Sequence, residues 1–364
     1  MDNRTRILKL MAGEKIDRIP WFADLAYWRQ AMETKGDLPE MYQGDGVFQL
    51  SRDHHVGFYL QGFEPFNAIS DIQVESETKD ETSTTTIITP KGNLTQITKY
   101  LPISYSSGFI KHFVETKDDL PAFSYFIDSL RYEPAYDEAH RRKPLIGDNG
   151  VLLCYTPKSP FMQMATAYMG VENLSYLIAD FPDEADRLLE KIRVKSDIAA
   201  RMAVDSPAEF IMIPENLSSE VVGQTYYMDY LRPYEKYWTD EIRKVGKTSL
   251  IHMDGTLKGL IGCVSEAGFD IIEAVTPAPV GDITMEEVSD IVNGRSIVWG
   301  GVPGALFCPS TPLDVFAEHV KHMLSIMRKF PRYVLGVADQ VPPDGEMDRL
   351  KIVAALCDEF GQYE

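Results

Sequence analysis

The sequence predicts a single (β/α)8 TIM barrel with N-terminal helices and an inserted antiparallel β-hairpin, and three observations carry that prediction. From residue 145 onward, short apolar runs alternate with helix-length amphipathic segments, the rhythm of parallel strands joined by helices. With two earlier runs the count reaches eight, which is what a closed barrel of this kind needs. Most runs end on a polar residue, and the C-terminal ends of parallel strands are where such folds gather their chemistry.

The elements follow in order. "MDNRTRILKLMAGEK" is a charged amphipathic helix rather than a leader peptide. "RIPWFADL" (18–25) and "VGFYLQGF" (56–63) read as the first two strands. The rhythm then breaks. Within 68–115, "DIQVESETKDETSTTTIITPKGNLTQITKYLP" alternates Thr and Ile around the turn signals "TKDE" and "PKGN". This reads as a hairpin that would be a solvated ribbon, a lid or an oligomer contact. The remaining strands are "GVLLCYT" (150–156), "EFIMIPE" (209–215), "TSLIHM" (248–253), "DIIEAV" (270–275), "SIVWGG" (296–301) and "RYVLGVA" (332–338). Segments such as "PDEADRLLEKIRVKSDIAARMA" and "DYLRPYEKYWTDEIRKV" supply outer helices, with Leu and Ile at spacings of three and four facing inward. In "TSLIHMDGTLKGLIG" (248–262), Ser249 to Ile251 read as strand and Leu257 to Ile261 as the start of a helix. His252, Asp254 and Gly255 fall on the turn between. Either Asp254 caps that helix and His252 is a satisfied core histidine, or both residues carry function.

Composition narrows the classes. With 364 residues and 44% hydrophobic, the chain can bury a barrel-sized core. A formal charge of -19 argues against nucleic acid, anionic membranes and polycarboxylate substrates, since binding each begins with repulsion. Cys154, Cys263, Cys308 and Cys357 are scattered without CxxC spacing, which suits a reducing cytoplasm. No apolar run approaches the ~20 residues of a membrane helix.

The polar residues ending the strands form the candidate site. They are Asp24, then Tyr155 and Thr156, Glu215 and Asn216, His252 and Asp254, Glu273 and Thr276, and Asp339. Any one of them alone is most simply a cap or a core hydrogen bond. Several carboxylates converging with a histidine repel one another unless a cation, a proton or a positively charged substrate sits among them. Tyr27, Trp28, Phe161 and Met162, from "WFADLAYWRQAM" and "YTPKSPFMQM", would wall a pocket for a flat aromatic ligand, or serve as core bulk.

Seven segments in order resemble the uroporphyrinogen decarboxylase-like superfamily, and within it the corrinoid-dependent methyltransferases. They are "MAGEKIDRIP", "ITPKGNL", "SPFMQMATAYMGVENL", "LIHMDGTLKGLI", "SEAGFDIIEAVT", "IVWGGVPGALF" and "LGVADQVPPDGEMDRLKIV". The resemblance implies a barrel with its active site at the C-terminal mouth. Two departures bear on the branch. The decarboxylase clamps substrate carboxylates with an Arg-Gln-Ala-Gly-Arg motif, whereas "WRQAMETK" keeps Arg29 and Gln30 without a second arginine. Thiol-methylating relatives hold zinc with His-x-Cys and a later Cys; the matching positions here are His252, Asp254 and Asp339. Hard carboxylates in place of thiolates suit the activation of an oxygen leaving group, through a bound zinc or a protonated carboxyl.

The expected activity is therefore transfer of a methyl group from a methylated small molecule, an aromatic methyl ether for choice, to the Co(I) corrinoid of a separate carrier protein. Glu215, His252, Asp254 and Asp339 are the expected catalytic set and, if zinc is present, its ligands. Asp24, Tyr27, Trp28, Tyr155, Phe161 and Asn216 are the expected substrate contacts. "YTPKSP" and "GGVPGALFCP" would receive the carrier, and a homodimer is possible. The alternatives are a lyase acting on a porphyrinogen or smaller acid, and a carrier-binding module without catalysis.

Overall fold

The computed structural model describes residues 1–59 and 63–363. Where the sequence suggested one domain with an insertion, the chain divides into two compact units: Met1–Phe63, Tyr136–Tyr155 and Ser206–Glu364 in one, Glu64–Ala135 and Thr156–Asp205 in the other.

The first unit contains the barrel. Its strands are β1 (Trp21–Phe22), β2 (Phe58–Tyr59), β3 (Gly150–Val151 continued by Leu153–Tyr155), β4 (Phe210–Ile213), β5 (Thr248–His252), β6 (Ile271–Val275), β7 (Ile297–Pro303) and β8 (Tyr333–Ala338). All eight expected strands form, although residues 60–62 of the second expectation lie outside the described residues. Seven make a parallel sheet in the order β1-β8-β7-β6-β5-β4-β3. The ring closes through β2, which pairs in parallel with Gly150–Val151 while Gly57 bridges Phe22.

Alternation along each strand decides what enters the barrel. Phe22, Tyr59, Leu153, Phe210, Met212, Leu250, Ile271, Ile297, Trp299 and Val334 share one buried cluster, and their neighbours of opposite parity face the helices. Each large side chain so buried contributes about 1.5–3 kcal/mol. The N-terminal helix Asn3–Met11 adds Ile7 and Leu10 to this cluster, and its start is fixed by Asp2, which accepts the Thr5 N–H at 2.7 Å. Trp299 meets Phe22 at a tilt and Tyr59 edge-on, with ring centroids 5.0 Å and 4.8 Å apart. It fits because residue 336 is glycine: a Cβ there would stand 2.6 Å from the indole ring.

In the second unit the expected hairpin is a four-stranded antiparallel sheet of Gln73–Lys79, Thr82–Thr89, Gly92–Leu101 and Ser106–Lys111. Thr and Ser hydroxyls pair across its strands, as in Ser76–Thr85 and Thr86–Thr95, while Ile87 and Leu94 are buried and helix Leu120–Ser129 packs on the two central strands. Helix Pro182–Asp205 also belongs to this unit. No helix among the described residues is long and apolar enough to cross a membrane.

Candidate active site

The mouth of the barrel is built one layer above its apolar core. β5 and β6 are in register, Leu250 opposite Ile271 and His252 opposite Glu273. Leu250 and Ile271 face the core, so the residues two positions on face the same way and stand side by side. Asp24 follows Phe22 at the same spacing. The parity of the strands thus delivers His252, Glu273 and Asp24 to one place.

Glu273 is fully buried and both its oxygens are used. The Tyr59 hydroxyl donates to Oε1 at 2.9 Å, and His252 Nδ1 meets Oε2 at 2.6 Å. On the far side of the imidazole, Nε2 lies 3.7 Å from Asp339 Oδ1, too far for a hydrogen bond. Burial alone would push the His252 pKa down. The charge of Glu273 and its hydrogen bond, with Asp254 and Asp339 behind them, more than reverse this and lift it to about 9. His252 is therefore an imidazolium at neutral pH, with Nε2–H lacking a hydrogen-bond partner among the described residues. Burial and the Glu273 charge hold Tyr59 as the neutral phenol.

Asp24 is the other buried acid. Its Oδ1 accepts the Ala26 N–H at 2.7 Å, while Oδ2 has no partner among the described residues. Burial raises its pKa, the Ala26 bond opposes, and the charges of Asp339 and Glu273 raise it further, to about 7. With Tyr59 it lines a cavity of about 710 Å³, whose other walls include Phe48, Phe58, Glu33, Asp45 and Arg29, Arg141 and Arg142. Arg141 is tied to Glu138 and Asp45, and Arg142 to Glu138.

Two features of the backbone set these positions. Asp339, directly after β8, takes φ +69°, and its side chain is 51% exposed. In β6, Ala274 takes φ +66° where the pairing with β7 shifts register, a bulge of the kind that re-aims a side chain beside an active site. Gly300 permits it, since a Cβ there would stand 2.4 Å from the Val275 oxygen.

The expected residues fare differently. His252 and Asp339 come together, and Asp254, partly exposed, is close enough to act on both electrostatically. Asp254 does not cap a helix. The helix begins at Ile261 rather than Leu257, and Asp282 accepts the N–H groups of Leu257 and Lys258. Glu215 stands apart from this group. It has the parity of Ile211 and Ile213, and its charge acts on Glu235 of helix Arg232–Lys244, pushing that buried carboxyl, already raised by desolvation, far above the usual range. Tyr227 donates to Glu235 at 2.7 Å. Among the described residues no group of His, Cys, Asp and Glu is arranged to hold a metal, so the four expected zinc ligands do not fit the role as a set.

Tyr27 is partly buried, and burial together with Asp339 and Asp344 raises its pKa. Trp28 is partly buried on the same helix and does not line the cavity. Tyr155 lies close enough to act on Tyr59, Asn216 is exposed at φ +58°, and Phe161 is buried within the second unit. The Thr276 hydroxyl is satisfied by the Ala274 carbonyl. Sequence reasoning left Tyr59 out of the site and Glu273 out of its catalytic set; a lone glutamate inside the apolar run "DIIEAV" was the available signal.

Comparison with known proteins decides the family. A family model described as Uroporphyrinogen decarboxylase (URO-D) matches residues 109–360, more than half of the chain. The chain belongs to the uroporphyrinogen decarboxylase family. Among solved structures, a methyltransferase from Methanosarcina mazei is similar over 99% of this chain and 99% of its own, with TM-score 0.63 at 15% identity. A GH18 chitinase from Flavobacterium johnsoniae is similar over 62% of this chain and 81% of its own, with TM-score 0.37 at 11% identity. At such identities the first likeness is one of fold, and the second carries no argument. No curated protein matches the chain. The family's barrel is thus present, and its mouth holds the Tyr59–Glu273–His252 line.

Proposed function

We propose that this member of the uroporphyrinogen decarboxylase family is a methyltransferase that takes the methyl group of an aromatic methyl ether and passes it to the reduced corrinoid of a carrier protein. One observation carries the reading: the Nδ1 of buried His252 is anchored by Glu273 at 2.6 Å, whose charge helps lift the imidazole pKa to about 9, while Nε2 faces Asp339 Oδ1 at 3.7 Å without a hydrogen bond. Breaking the methyl–oxygen bond leaves the electron pair on oxygen, and a fixed, desolvated cationic donor is what that developing charge requires. The Co(I) corrinoid, when its carrier presents it, supplies the nucleophile for the methyl carbon.

This chain's own residues do the rest. Glu273 fixes the tautomer and the charge of His252, and Tyr59 fixes Glu273. Asp24 lines a cavity large enough for a substituted aromatic ring, with apolar walls from Phe48 and Phe58. Asp339, across the imidazole from Glu273, is half exposed. No step is assigned to zinc, because the residues do not form a ligand set. The fold it shares with the Methanosarcina mazei methyltransferase supports the assignment without fixing the donor.

A lyase reading has support of its own in the family's description. One assay separates the two. Purified protein is mixed with cob(I)alamin and a series of ring-substituted methoxybenzenes; methylcobalamin and the matching phenols are expected. Unchanged corrinoid with every donor, together with carbon dioxide release from porphyrinogen or aromatic acids, would establish the lyase instead.

A further inference from the structure

Glu273 points where it does because of an irregularity beside it. Three steps along β6, from Ile272 to Val275, are matched by two along β7, from Val298 to Gly300, and the surplus is taken up around Ala274, whose φ is +66°. An alanine resists that left-handed conformation, which persists only where its surroundings over-determine it. Glycine at 300 and 301 makes the room. A Cβ would stand 2.4 Å from the Val275 oxygen in the first case and 2.3 Å from the Tyr333 hydroxyl in the second. Room alone holds nothing in place.

Two side chains hold the glycine pair, and both stand on the helix side of the barrel wall. Val334 faces the core, so Tyr333 before it faces the helices, where it is fully buried and its hydroxyl donates to the Gly300 carbonyl at 2.8 Å. His319, on helix Leu313–Met327, meets the Gly301 carbonyl with Nε2 at 2.8 Å; a carbonyl only accepts, so Nε2 carries the proton. Burial keeps both groups neutral, raising the tyrosine pKa and lowering that of the histidine. Consecutive carbonyls of the strand opposite the bulge are thus gripped from behind the wall.

We propose that Tyr333 and His319 are positioning residues of the site: by holding the Gly300 and Gly301 carbonyls they keep the β6 bulge in the form that aims Glu273 at His252. Each acts through the backbone alone. A bond of 2.6 Å leaves Glu273 little slack, so a small displacement at residue 274 lengthens it. The inference concerns the Glu273–His252 bond and holds whatever reaction the site performs.

Proton NMR of the intact chain reads that bond. A short, charge-assisted bond to a carboxylate draws the imidazole Nδ1 proton far downfield and slows its exchange with water; its absence from His252→Asn assigns it. Tyr333→Phe and His319→Phe should each move the signal upfield and speed its exchange roughly tenfold or more, the scale of one buried acceptor left unpaired. His319→Gln, whose amide offers an N–H in the same place, should restore it. Tyr363→Phe is the control: its hydroxyl donates to another strand carbonyl, that of Tyr333 at 3.2 Å, away from the bulge, and its loss should leave the signal unmoved. An unchanged signal in folded Tyr333→Phe and His319→Phe, an equal change in Tyr363→Phe, or no recovery in His319→Gln would each overturn the proposal. Circular dichroism establishes which variants fold, and Tyr333→Phe, which removes a single oxygen, decides the matter should His319→Phe not fold.

Discussion

Two buried tyrosine–glutamate pairs lie in the barrel unit, and they are alike until the third residue is considered. Tyr59 donates to Glu273 at 2.9 Å; Tyr227 donates to Glu235 at 2.7 Å; both carboxyls are shut off from solvent. Beside Glu273 stands His252, and the two settle as an ion pair. Beside Glu235 stands Glu215, a like charge, and Glu235 is driven to its protonated form by burial and by that neighbour. The same pair of side chains thus makes a charged anchor in one place and a neutral acid in the other. Burial alone does not set a carboxyl's state; its second neighbour does.

Substitutions that separate the two cases should rank as follows. Glu273→Gln should cost most. It leaves a buried imidazole without its counter-charge, so stability at neutral pH should fall by about 3 kcal/mol and methyl transfer by at least ~100-fold. The His252 pKa, followed by NMR, should drop from about 9 to below its ordinary 6.5. A histidine titration that stays put would dissolve the ion pair as an explanation.

The pH dependence of stability comes next. The His252 pKa is raised on folding, so its contribution is complete below about pH 6.5 and lost as pH climbs through about 9. The Asp24 pKa is raised from 3.8 to about 7, so its contribution is complete below pH 3.8 and gone above about 7. Asp24→Asn should therefore compare more favourably with the wild type at pH 8 than at pH 4, by about 1–3 kcal/mol in urea melts. An equal difference at both pH values would place Asp24 in its ordinary range.

A finer test removes the hydroxyls. Tyr59→Phe takes a donor from a charged acceptor and should cost about 2 kcal/mol, whereas Tyr227→Phe takes one from a neutral acid and should cost about 1 kcal/mol. Equal losses would mean that both glutamates carry the same charge. Smallest of all is Glu235→Gln, which replaces a neutral acid by a neutral amide. A shift within about 0.5 kcal/mol is expected in chemical denaturation, and a loss comparable to that of Glu273→Gln would show Glu235 to be ionised after all.

The barrel was legible because its signal is periodic. Eight apolar runs give eight strands, and strand parity tells which residues enter the core. The same parity could have placed Glu273 beside His252, each two positions past a core residue, and could have turned Glu215 away. What parity cannot supply is the neighbour from a distant strand. Tyr59 reaches Glu273 across 214 positions of chain, and nothing local to "VGFYLQGF" marks its hydroxyl. The cap reading of Asp254 failed for a similar reason, since Asp282 takes the loop's N–H groups from another turn. The insertion over 68–115 was read correctly as antiparallel, although its last strand, "SSGFIK", lacks the Thr–Ile alternation that marked the others.

The bulge in β6 also constrains how this protein can change over generations. Ala274 in its left-handed conformation and the bare backbone of Gly300 are two halves of a lock, since any side chain at 300 would collide with Val275. Neither half is useful without the other, so the frame cannot drift away one substitution at a time. The frame fixes where the side chain of position 273 points but not what it is; here the glutamate is held there by its bonds to His252 and Tyr59 as well as by the backbone.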